Sequence, residues 1–226
     1  VWVRGRYAYL ADRDAGIKII DIANPDAPAL RGSLNTSGSA WDIMIWGKYA
    51  YIADGAAGLK VVDITDPSAP ALTGTYNRSI FAYSVWVDGN HAFLGTDSDG
   101  LQIINISDPE NPSKTGSLAD AHSGNDIVIS GNHAYVAGGT SGLLVFDISN
   151  RSNPQKVGEI TGGVGADVND AQQIFIINNH AFLTDVNGLK SIDITDPSSA
   201  SVIGQSDTSN DAIACFVHGP HAYVGD

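Results

Sequence analysis

The sequence is dominated by an internal repeat of about 42 residues. A glycine at the end of a short apolar run marks the repeat, because it returns at regular intervals along the chain. It occurs as Gly5, Gly47, Gly89, Gly131 and Gly219, with Asn178 in the same place in the fifth repeat. An alanine stands three residues after each of these positions, as Ala8, Ala50, Ala92, Ala134, Ala181 and Ala222. A fixed period of this length indicates that one small supersecondary unit is used repeatedly.

Each repeat contains four short runs with the composition of β-strands. In the second repeat these are Ile43–Trp46, Tyr49–Ala53, Leu59–Ile64 and Ala71–Tyr76. Glycine, proline, asparagine and aspartate separate the runs, which is typical of an all-β protein. Four strands in about 40 residues is the size of one blade of a β-propeller. The first run is apolar throughout and the fourth is more polar. This gradient is expected when neighbouring blades cover the inner strands and the outermost strand has a free edge.

The sequence therefore predicts an all-β fold, a β-propeller of four-stranded antiparallel blades with about 42 residues in each. A single-layer solenoid is the main alternative, although its repeats would carry one or two strands rather than four. One domain is expected over 1–226. Its blades are predicted at approximately 1–42, 43–84, 85–126, 127–173 and 174–214, with a partial blade at 215–226. Six blades are expected, with the missing outer strands of the sixth preceding Val1 in a longer parent chain. Seven or eight blades in a longer parent is the alternative.

The first strand of each blade makes the sharpest structural prediction. Because it is covered on both faces, its alternate apolar residues should be buried. These are Val1, Val3, Ile43, Ile45, Val85, Val87, Ile127, Ile129, Ile174, Ile176, Cys215 and Val217. The interleaved residues should pack against the adjacent blade, and they are Trp2, Met44, Trp86, Val128, Phe175 and Phe216.

Composition excludes several classes of partner. The formal net charge is −13, so nucleic-acid phosphates and anionic membrane surfaces would be repelled, whereas cations and basic partners are favoured. No run approaches the roughly 18–20 apolar residues of a membrane-spanning helix, so no membrane insertion is expected. The lone Cys215 leaves no intramolecular disulfide, and its place in the repeat, shared with Ile43 and Val85, predicts a small core residue rather than a nucleophile.

The third strands carry a specific motif. They read Gly16–Ile22, Gly58–Ile64 and Gly142–Ile148, each followed by a short turn of Ser, Thr, Asn, Asp or Pro. This pattern resembles the LVIVD-repeat family of β-propellers, and the resemblance spans the whole chain. Asn105 and Ser191 depart from the motif in the third and fifth repeats. The resemblance implies a surface or secreted protein of bacteria or archaea with no assigned reaction, since a fold alone does not specify one.

Two sets of acidic and amide residues are expected to be structural. Asx-Pro turns close the third-to-fourth strand connections, because proline presets the turn and the preceding side chain bonds the local backbone. They are Asn24-Pro25, Asp66-Pro67, Asp108-Pro109 and Asp196-Pro197. The aspartates that end the third strands recur once per blade, as a structural role predicts. They are Asp21, Asp63, Asp147 and Asp193.

The remaining acids are predicted to gather on one face, formed by blade-to-blade connections and second-to-third strand loops. Asp42 and Asp126 precede innermost strands and should line the mouth of a central channel. The candidate residues for binding a ligand or partner on this face are Asp12, Asp42, Asp54, Asp97, Asp99, His122, Asp126 and Asp185. Ordinary solvated loop acidity is the competing interpretation.

One connection is longer than the others. The extra length falls in Gly162–Asp170, where glycines permit unusual backbone angles. Asp167, Asn169 and Asp170 supply oxygen ligands of the kind that calcium prefers. They are the candidate metal residues, with Ca²⁺ as the candidate ion, although no EF-hand or nonapeptide calcium loop is present. Tolerated drift of a surface loop is the alternative.

No catalytic motif is present. There is no nucleophile elbow, no phosphate-cradling loop and no zinc-protease signature. The sequence predicts a non-enzymatic module, extracellular or at the cell surface, that binds a protein or surface glycan through its acidic loop face. Asn-x-Ser/Thr sequons at Asn35, Asn77, Asn105 and Asn150 support export weakly. The alternative is a polysaccharide-acting enzyme with carboxylates at the channel mouth.

Overall fold

The computed structural model describes residues 1–78, 80–97, 100–119, 124–162 and 167–226. The chain divides into two compact units, and the division passes through the third repeat. Unit 1 comprises Val1–Leu94 and Ile103–Thr115, and unit 2 comprises Gly95–Gln102 and Gly116–Asp226. In the described parts of both units, no helix has the length and apolar character needed to cross a membrane.

Unit 1 contains the first two sheets, each of four antiparallel strands in chain order. The strands of the first sheet are β1 (Trp2–Arg4), β2 (Tyr7–Ala11), β3 (Ile17–Asp21) and β4 (Ala29–Leu34). Those of the second are β5 (Asp42–Trp46), β6 (Tyr49–Ala53), β7 (Leu59–Asp63) and β8 (Ala71–Tyr76). The third sheet draws residues from both units. Its strands are β9 (Ala82–Asp88), β10 (His91–Thr96), β11 (Leu101–Asn105) and β12 (Ser113–Leu118), again hydrogen-bonded in chain order.

Unit 2 contains the fourth and fifth four-stranded sheets and a final pair of strands. The fourth sheet consists of β13 (Asp126–Ser130), β14 (His133–Ala137), β15 (Gly142–Asp147) and β16 (Gln155–Thr161). The fifth consists of β17 (Gln173–Ile177), β18 (His180–Asp185), β19 (Gly188–Asp193) and β20 (Ser201–Asp207), with a 3-10 turn at Pro197–Ser199. The last two strands are β21 (Ala214–His218) and β22 (His221–Gly225). The prediction of an all-β fold with four strands per repeat is confirmed for the five complete repeats.

The turn between the first and second strands explains the marker glycine. Gly47 has a φ of +58°, in the left-handed region that favours glycine. Asn178, which replaces glycine in the fifth repeat, adopts the same conformation with a φ of +52°. Asparagine tolerates this region better than most other residues, so the substitution keeps the turn.

The strand-end aspartates are structural, as expected. Asp63 Oδ1 accepts a hydrogen bond from the backbone N–H of Thr65 at 2.8 Å. Hydrogen bonds from Thr65 and Lys48 lower the pKa of Asp63 to about 2. Asn105, which departs from the motif, accepts the same bond from Ser107 at 2.8 Å. The substitution is tolerated because an amide oxygen serves this turn as well as a carboxylate oxygen. Equivalent bonds form at Asp21, Asp147 and Asp193.

The turns before the fourth strands are closed by Asx side chains, also as expected. Each side chain accepts a backbone hydrogen bond from the residue two positions later, at Asn24, Asp66, Asp108, Asn150 and Asp196. The fourth-strand glycines lie directly against these turns. A Cβ atom built on Gly74 would overlap the carbonyl oxygen of Pro109, and one on Gly158 would overlap that of Pro197. The periodic glycine of the fourth strand therefore makes room for the turn of the following repeat.

We expect Gly74→Ala to destabilise the protein by about 1–3 kcal/mol, because the added methyl group collides with backbone that cannot move aside cheaply. Gly204→Ala is the matched control. Gly204 occupies the same place in the fifth repeat, but a Cβ atom there would meet only the Ser191 hydroxyl. Since alanine also restricts the unfolded chain, the control should be neutral or slightly stabilising. Urea unfolding of both variants is the measurement, and equal stabilities would contradict this account of the glycine.

The inner-strand prediction is confirmed in part. Ile43, Ile45, Val85, Val87, Ile127, Ile174, Cys215 and Val217 are buried, and Ile129 and Ile176 are half-buried. It is wrong for Val1 and Val3, which are 79% and 59% exposed. Among the interleaved residues, Phe216 is 57% exposed but contacts Phe175 of the neighbouring sheet, with 5.6 Å between the ring centres. Val1 and Val3 lie at the start of the first sheet, and Phe216 lies in the last pair of strands. Elsewhere, inner strand β5 contacts β9 within unit 1, and β13 contacts β17 within unit 2.

Candidate functional site

Two of the predicted partner-binding carboxylates link successive sheets. Asp42 Oδ1 accepts a hydrogen bond from Ile43 N at 2.8 Å, and its Oδ2 accepts one from Val85 N, in the next sheet, at 2.9 Å. Val85 is a buried residue in the middle of inner strand β9, where an N–H without a partner would be costly. Burial raises the pKa of Asp42, although the two N–H donors oppose that rise. Asp42 therefore joins inner strands within unit 1.

The same link occurs in unit 2. Asp126 Oδ1 accepts from Ile127 N at 2.9 Å, and its Oδ2 accepts from Ile174 N at 3.0 Å. Gln173, in the corresponding place one repeat later, accepts from Cys215 N at 2.7 Å. Both oxygens of each aspartate are thus engaged by backbone donors. The role that the structure gives Asp42 and Asp126 is to hold adjacent sheets together.

Asp54 and Asp185 were predicted to bind a ligand or partner, but neither has any exposed surface. Asp54 Oδ1 accepts a hydrogen bond from the Thr36 hydroxyl at 2.5 Å, while its Oδ2 has no hydrogen-bond partner among the described residues. Burial raises the pKa of the Asp54 carboxyl. Asp185 lies 3.9 Å from the Lys190 ammonium, which is also buried.

Aspartate and lysine occupy the same two places in three repeats. Asp12 and Lys18 form an ion pair in the first repeat, where both side chains are substantially exposed. Asp54 with Lys60, and Asp185 with Lys190, occupy these places in the second and fifth repeats, and all four of these residues are buried. Removing one partner of a buried ion pair such as Asp185–Lys190 leaves an uncompensated charge. Asp54 and Asp185 therefore lie inside the fold and do not face a partner.

The other predicted residues do not complete a site. Asp97 is half-buried, and Asp99 and His122 lie outside the described residues. In the parts of the chain that the structure describes, no three His, Cys, Asp or Glu side chains come together in a way that could hold a metal ion.

The long connection in the fifth repeat is tied to Asp185. Asn169 donates its backbone N–H to Asp185 Oδ2 at 3.0 Å, and its carbonyl oxygen accepts from Val186 N at 3.1 Å. Asp170 has a φ of +58°, which is uncommon for a residue with a side chain. Asp167 is exposed and lines an open cleft of about 520 Å³ together with Glu159 and Ser201. Gly163–Ala166 lie outside the described residues.

Calcium binding by Asp167, Asn169 and Asp170 stays a prediction, and a thermal melt checks it. An ion that binds only the folded protein raises the melting temperature by mass action. The melting temperature should therefore be higher in millimolar calcium than in chelator, and Asp167→Asn should reduce the difference. Identical melting temperatures in the two buffers would contradict a calcium site in this loop.

The sequons have structural explanations in the described residues. Asn35 and Asn77 each donate a side-chain hydrogen bond to the backbone of the preceding loop, at Asp14 and Ala56. Asn105 and Asn150 accept backbone hydrogen bonds in their turns. Each of these four amides therefore has a hydrogen-bond partner within the fold.

A different set of residues clusters at the ends of the strands in unit 1. Trp41, Phe81 and Tyr83 are in ring contact, and the Arg13 guanidinium lies 3.3 Å from the centre of the Trp41 ring. The signal that could have found them is a departure from the repeat. Trp41 stands directly before β5 and Tyr83 near the start of β9, and the fourth and fifth repeats carry Asn125 and Gln172 in the same place.

Five successive segments of the sequence match the family model of the LVIVD repeat, over residues 1–36, 37–78, 81–120, 122–161 and 169–208. The chain belongs to the LVIVD-repeat family. The matched segments follow the repeat period found above, and the last of them ends close to the end of β20. No protein of curated function matches this LVIVD-repeat sequence.

Solved structures of similar fold include two that cover almost all of the LVIVD-repeat chain. The computationally designed Ika8 protein is 12% identical with a TM-score of 0.76, over 99% of this chain and 66% of that one. A functionally unknown protein from Desulfotomaculum acetoxidans DSM 771 is 14% identical with a TM-score of 0.78, over 97% of this chain and 72% of that one. The LVIVD-repeat chain thus spans just under two thirds of the designed protein. At these identities the likeness shows the fold alone.

Proposed function

We propose that this LVIVD-repeat chain is a non-enzymatic recognition module that works outside the cell or on its surface and binds a cationic partner through acidic loops. Its sheets are the blades of a single β-propeller over 1–226, with six blades as the expected number. Membership of the LVIVD-repeat family and the likeness of fold to the two solved structures support this architecture. The extracellular location rests on the family resemblance and is tested by fractionating cells that express the protein from its own gene.

The observation that carries the proposal is the excess of acids over bases, of which the frame uses one part and exposed loop positions such as Asp14 and Asp167 hold another. The recurrent acids close turns at Asp63 and Asp66, link sheets at Asp42 and Asp126, and are buried at Asp185. These bonds fix the frame that presents the loops. The net charge of −13 then gives the molecule a negative field that attracts cations and repels polyanions.

A binding experiment tests the proposal. The protein is immobilised and exposed to octa-arginine, octa-lysine and heparin at about 0.15 M salt, where the Debye length is about 8 Å. We expect the two cationic peptides to bind, with affinities that fall as salt is raised, and heparin not to bind. Binding of heparin, or failure of both peptides to bind, would contradict recognition of a cationic partner.

The second candidate is an enzyme that acts on polysaccharide, and it rests on the open cleft lined by Glu159 and Asp167. Two carboxylates flanking a glycosidic bond are the usual apparatus for its hydrolysis. Both residues are exposed, however, and Glu159 forms an ion pair with Lys156 at 2.6 Å. Neither therefore lies in the water-excluded pocket in which a carboxylic acid protonates a leaving group. Release of reducing sugar that is lost in Asp167→Asn would establish the enzyme instead.

A further inference from the structure

The aromatic cluster in unit 1, defined by Arg13, Trp41, Phe81 and Tyr83, combines three connections of the chain with strand β9, which carries Tyr83. The ring centres of Trp41 and Tyr83 are 5.3 Å apart and those of Trp41 and Phe81 are 5.9 Å apart, both pairs edge to face. Phe81 and Tyr83 lie 4.7 Å apart in a tilted arrangement. Trp41 remains 40% exposed, and Phe81 and Tyr83 are half-buried. The cluster is therefore a surface feature and not part of the core.

Arg13 is held in an unfavourable backbone conformation to reach this cluster. Its φ is +47°, whereas the same place in the second and fourth repeats is taken by Gly55 and Gly139, with φ of +55° and +54°. A side chain in this region costs conformational energy that glycine avoids. Two backbone hydrogen bonds with Ala40, at 2.9 and 3.0 Å, fix Arg13 beside Trp41.

The contact between Arg13 and Trp41 shows which chemistry the indole face accepts. A guanidinium over an aromatic ring is attracted by the ring quadrupole, most strongly at tryptophan. Surface clusters of tryptophan, tyrosine and arginine also have the composition of the residues that dominate binding energy at protein interfaces. The neighbouring Asp14 is exposed on the same connection. The negative charge of the whole chain adds a long-range preference for cations.

We propose that the aromatic cluster is the contact centre for a basic polypeptide, and that an arginine side chain of that partner takes the place of Arg13 on the face of Trp41. This assignment rests on the proposed function, because it gives the binding site and the chemical class of the cationic partner proposed there. Arg13 acts as an internal occupant that keeps the indole face covered in the free protein. A competing partner guanidinium therefore has to displace it.

Trp41→Leu is the first test, with octa-arginine as the probe. Leucine keeps an apolar side chain but removes the aromatic face, so we expect binding to weaken by about tenfold and the preference for octa-arginine over octa-lysine to disappear. Trp46→Leu is the matched control. Trp46 is 45% exposed and lies at the other end of β5, so its loss should leave the dissociation constant unchanged.

Arg13→Gly is the second test. Glycine suits the backbone conformation and removes the internal occupant, so we expect octa-arginine to bind about three- to tenfold more tightly. Arg31→Gln is the control for charge, because it removes one positive charge from exposed strand β4 without touching the cluster. Circular dichroism melts of all four variants establish that each is folded under the binding conditions.

The possible results distinguish failure of the proposed function from failure of the aromatic cluster as its binding site. If the wild-type protein binds neither peptide, the proposed function fails. If it binds octa-arginine but Trp41→Leu binds equally well, recognition of cations stands and the aromatic cluster is not its centre. The assignment would also be overturned if Trp46→Leu weakened the binding of octa-arginine as much as Trp41→Leu does. It would be overturned as well if Arg31→Gln tightened that binding as much as Arg13→Gly does. Binding of a neutral glycan such as cellohexaose that depends on Trp41 would replace the basic polypeptide with a sugar ligand.

Discussion

Replacing Phe146 with alanine is expected to lower the free energy of unfolding by about 3–5 kcal/mol. Phe146 lies in β15, in the centre of the fourth sheet, and its side chain is completely buried. It is flanked in the sheet by Ala134 and Lys156. Removing the ring loses the hydrophobic transfer energy of the buried atoms and leaves a cavity that the paired strands cannot close. The measurement is equilibrium unfolding in urea, followed by tryptophan fluorescence and circular dichroism.

Phe216→Ala is the control for this prediction. Phe216 is 57% exposed and keeps one ring contact, at 5.6 Å between the centres of its ring and that of Phe175. Since little of its surface leaves water on folding, its loss should cost no more than about 1 kcal/mol. Equal costs for Phe146→Ala and Phe216→Ala would mean that the burial described for these two sheets is wrong.

Replacing Asp185 with alanine is expected to cost about 3–5 kcal/mol, because it leaves the buried Lys190 ammonium without its counter-charge. The carboxylate also accepts backbone hydrogen bonds from Asn169 at 3.0 Å and Asn187 at 2.9 Å. Lys190 keeps one acceptor, Gln205 Oε1 at 3.1 Å, which does not neutralise its charge. Urea unfolding gives the loss of stability. Hydrogen exchange at the Asn169 amide should report faster opening of the long connection.

The same substitution in the first repeat supplies the matched control. Asp12 and Lys18 stand in the same places as Asp185 and Lys190, but the ion pair they form is exposed to solvent. Exposed pairs contribute about 0–1 kcal/mol, so Asp12→Ala should be nearly neutral. The contrast tests burial as the cause, since the residue types are the same. A large loss of stability in Asp12→Ala would contradict it.

Several features of the fold could be predicted from the sequence because they depend on local chemistry. The turn at Asn178 keeps a left-handed residue where glycine stands in other repeats, and asparagine is the side chain that tolerates it best. Asn105 keeps the strand-end hydrogen bond that Asp63 makes. Both departures from the repeat preserve the hydrogen bond or backbone angle that the position requires. The local structure at Asn105 and Asn178 therefore follows from the residue types alone.

The contacts of the candidate site could not be predicted from the sequence, because they join residues that are far apart along the chain. Asp42 and Val85 are 43 residues apart in sequence, and nothing in either residue indicates that one receives a hydrogen bond from the other. The cluster around Trp41 likewise gathers residues from three connections and from strand β9. Each aromatic residue taken alone is compatible with an ordinary core position, and only their assembly with Arg13 makes a surface feature.

By itself the sequence determined the repeat, the four strands in each unit, the turns that join them and the sign of the molecular charge. These follow from the spacing of apolar residues, from the backbone preferences of glycine, proline and asparagine, and from a count of ionisable groups. The tertiary structure decided which carboxylates reach solvent. Asp12 and Asp185 share one place in the repeat, yet one is partly exposed and the other fully buried. The reason is physical, because exposure is set by the neighbours that pack over a residue, and at Asp185 one of those neighbours is the connection that carries Asn169.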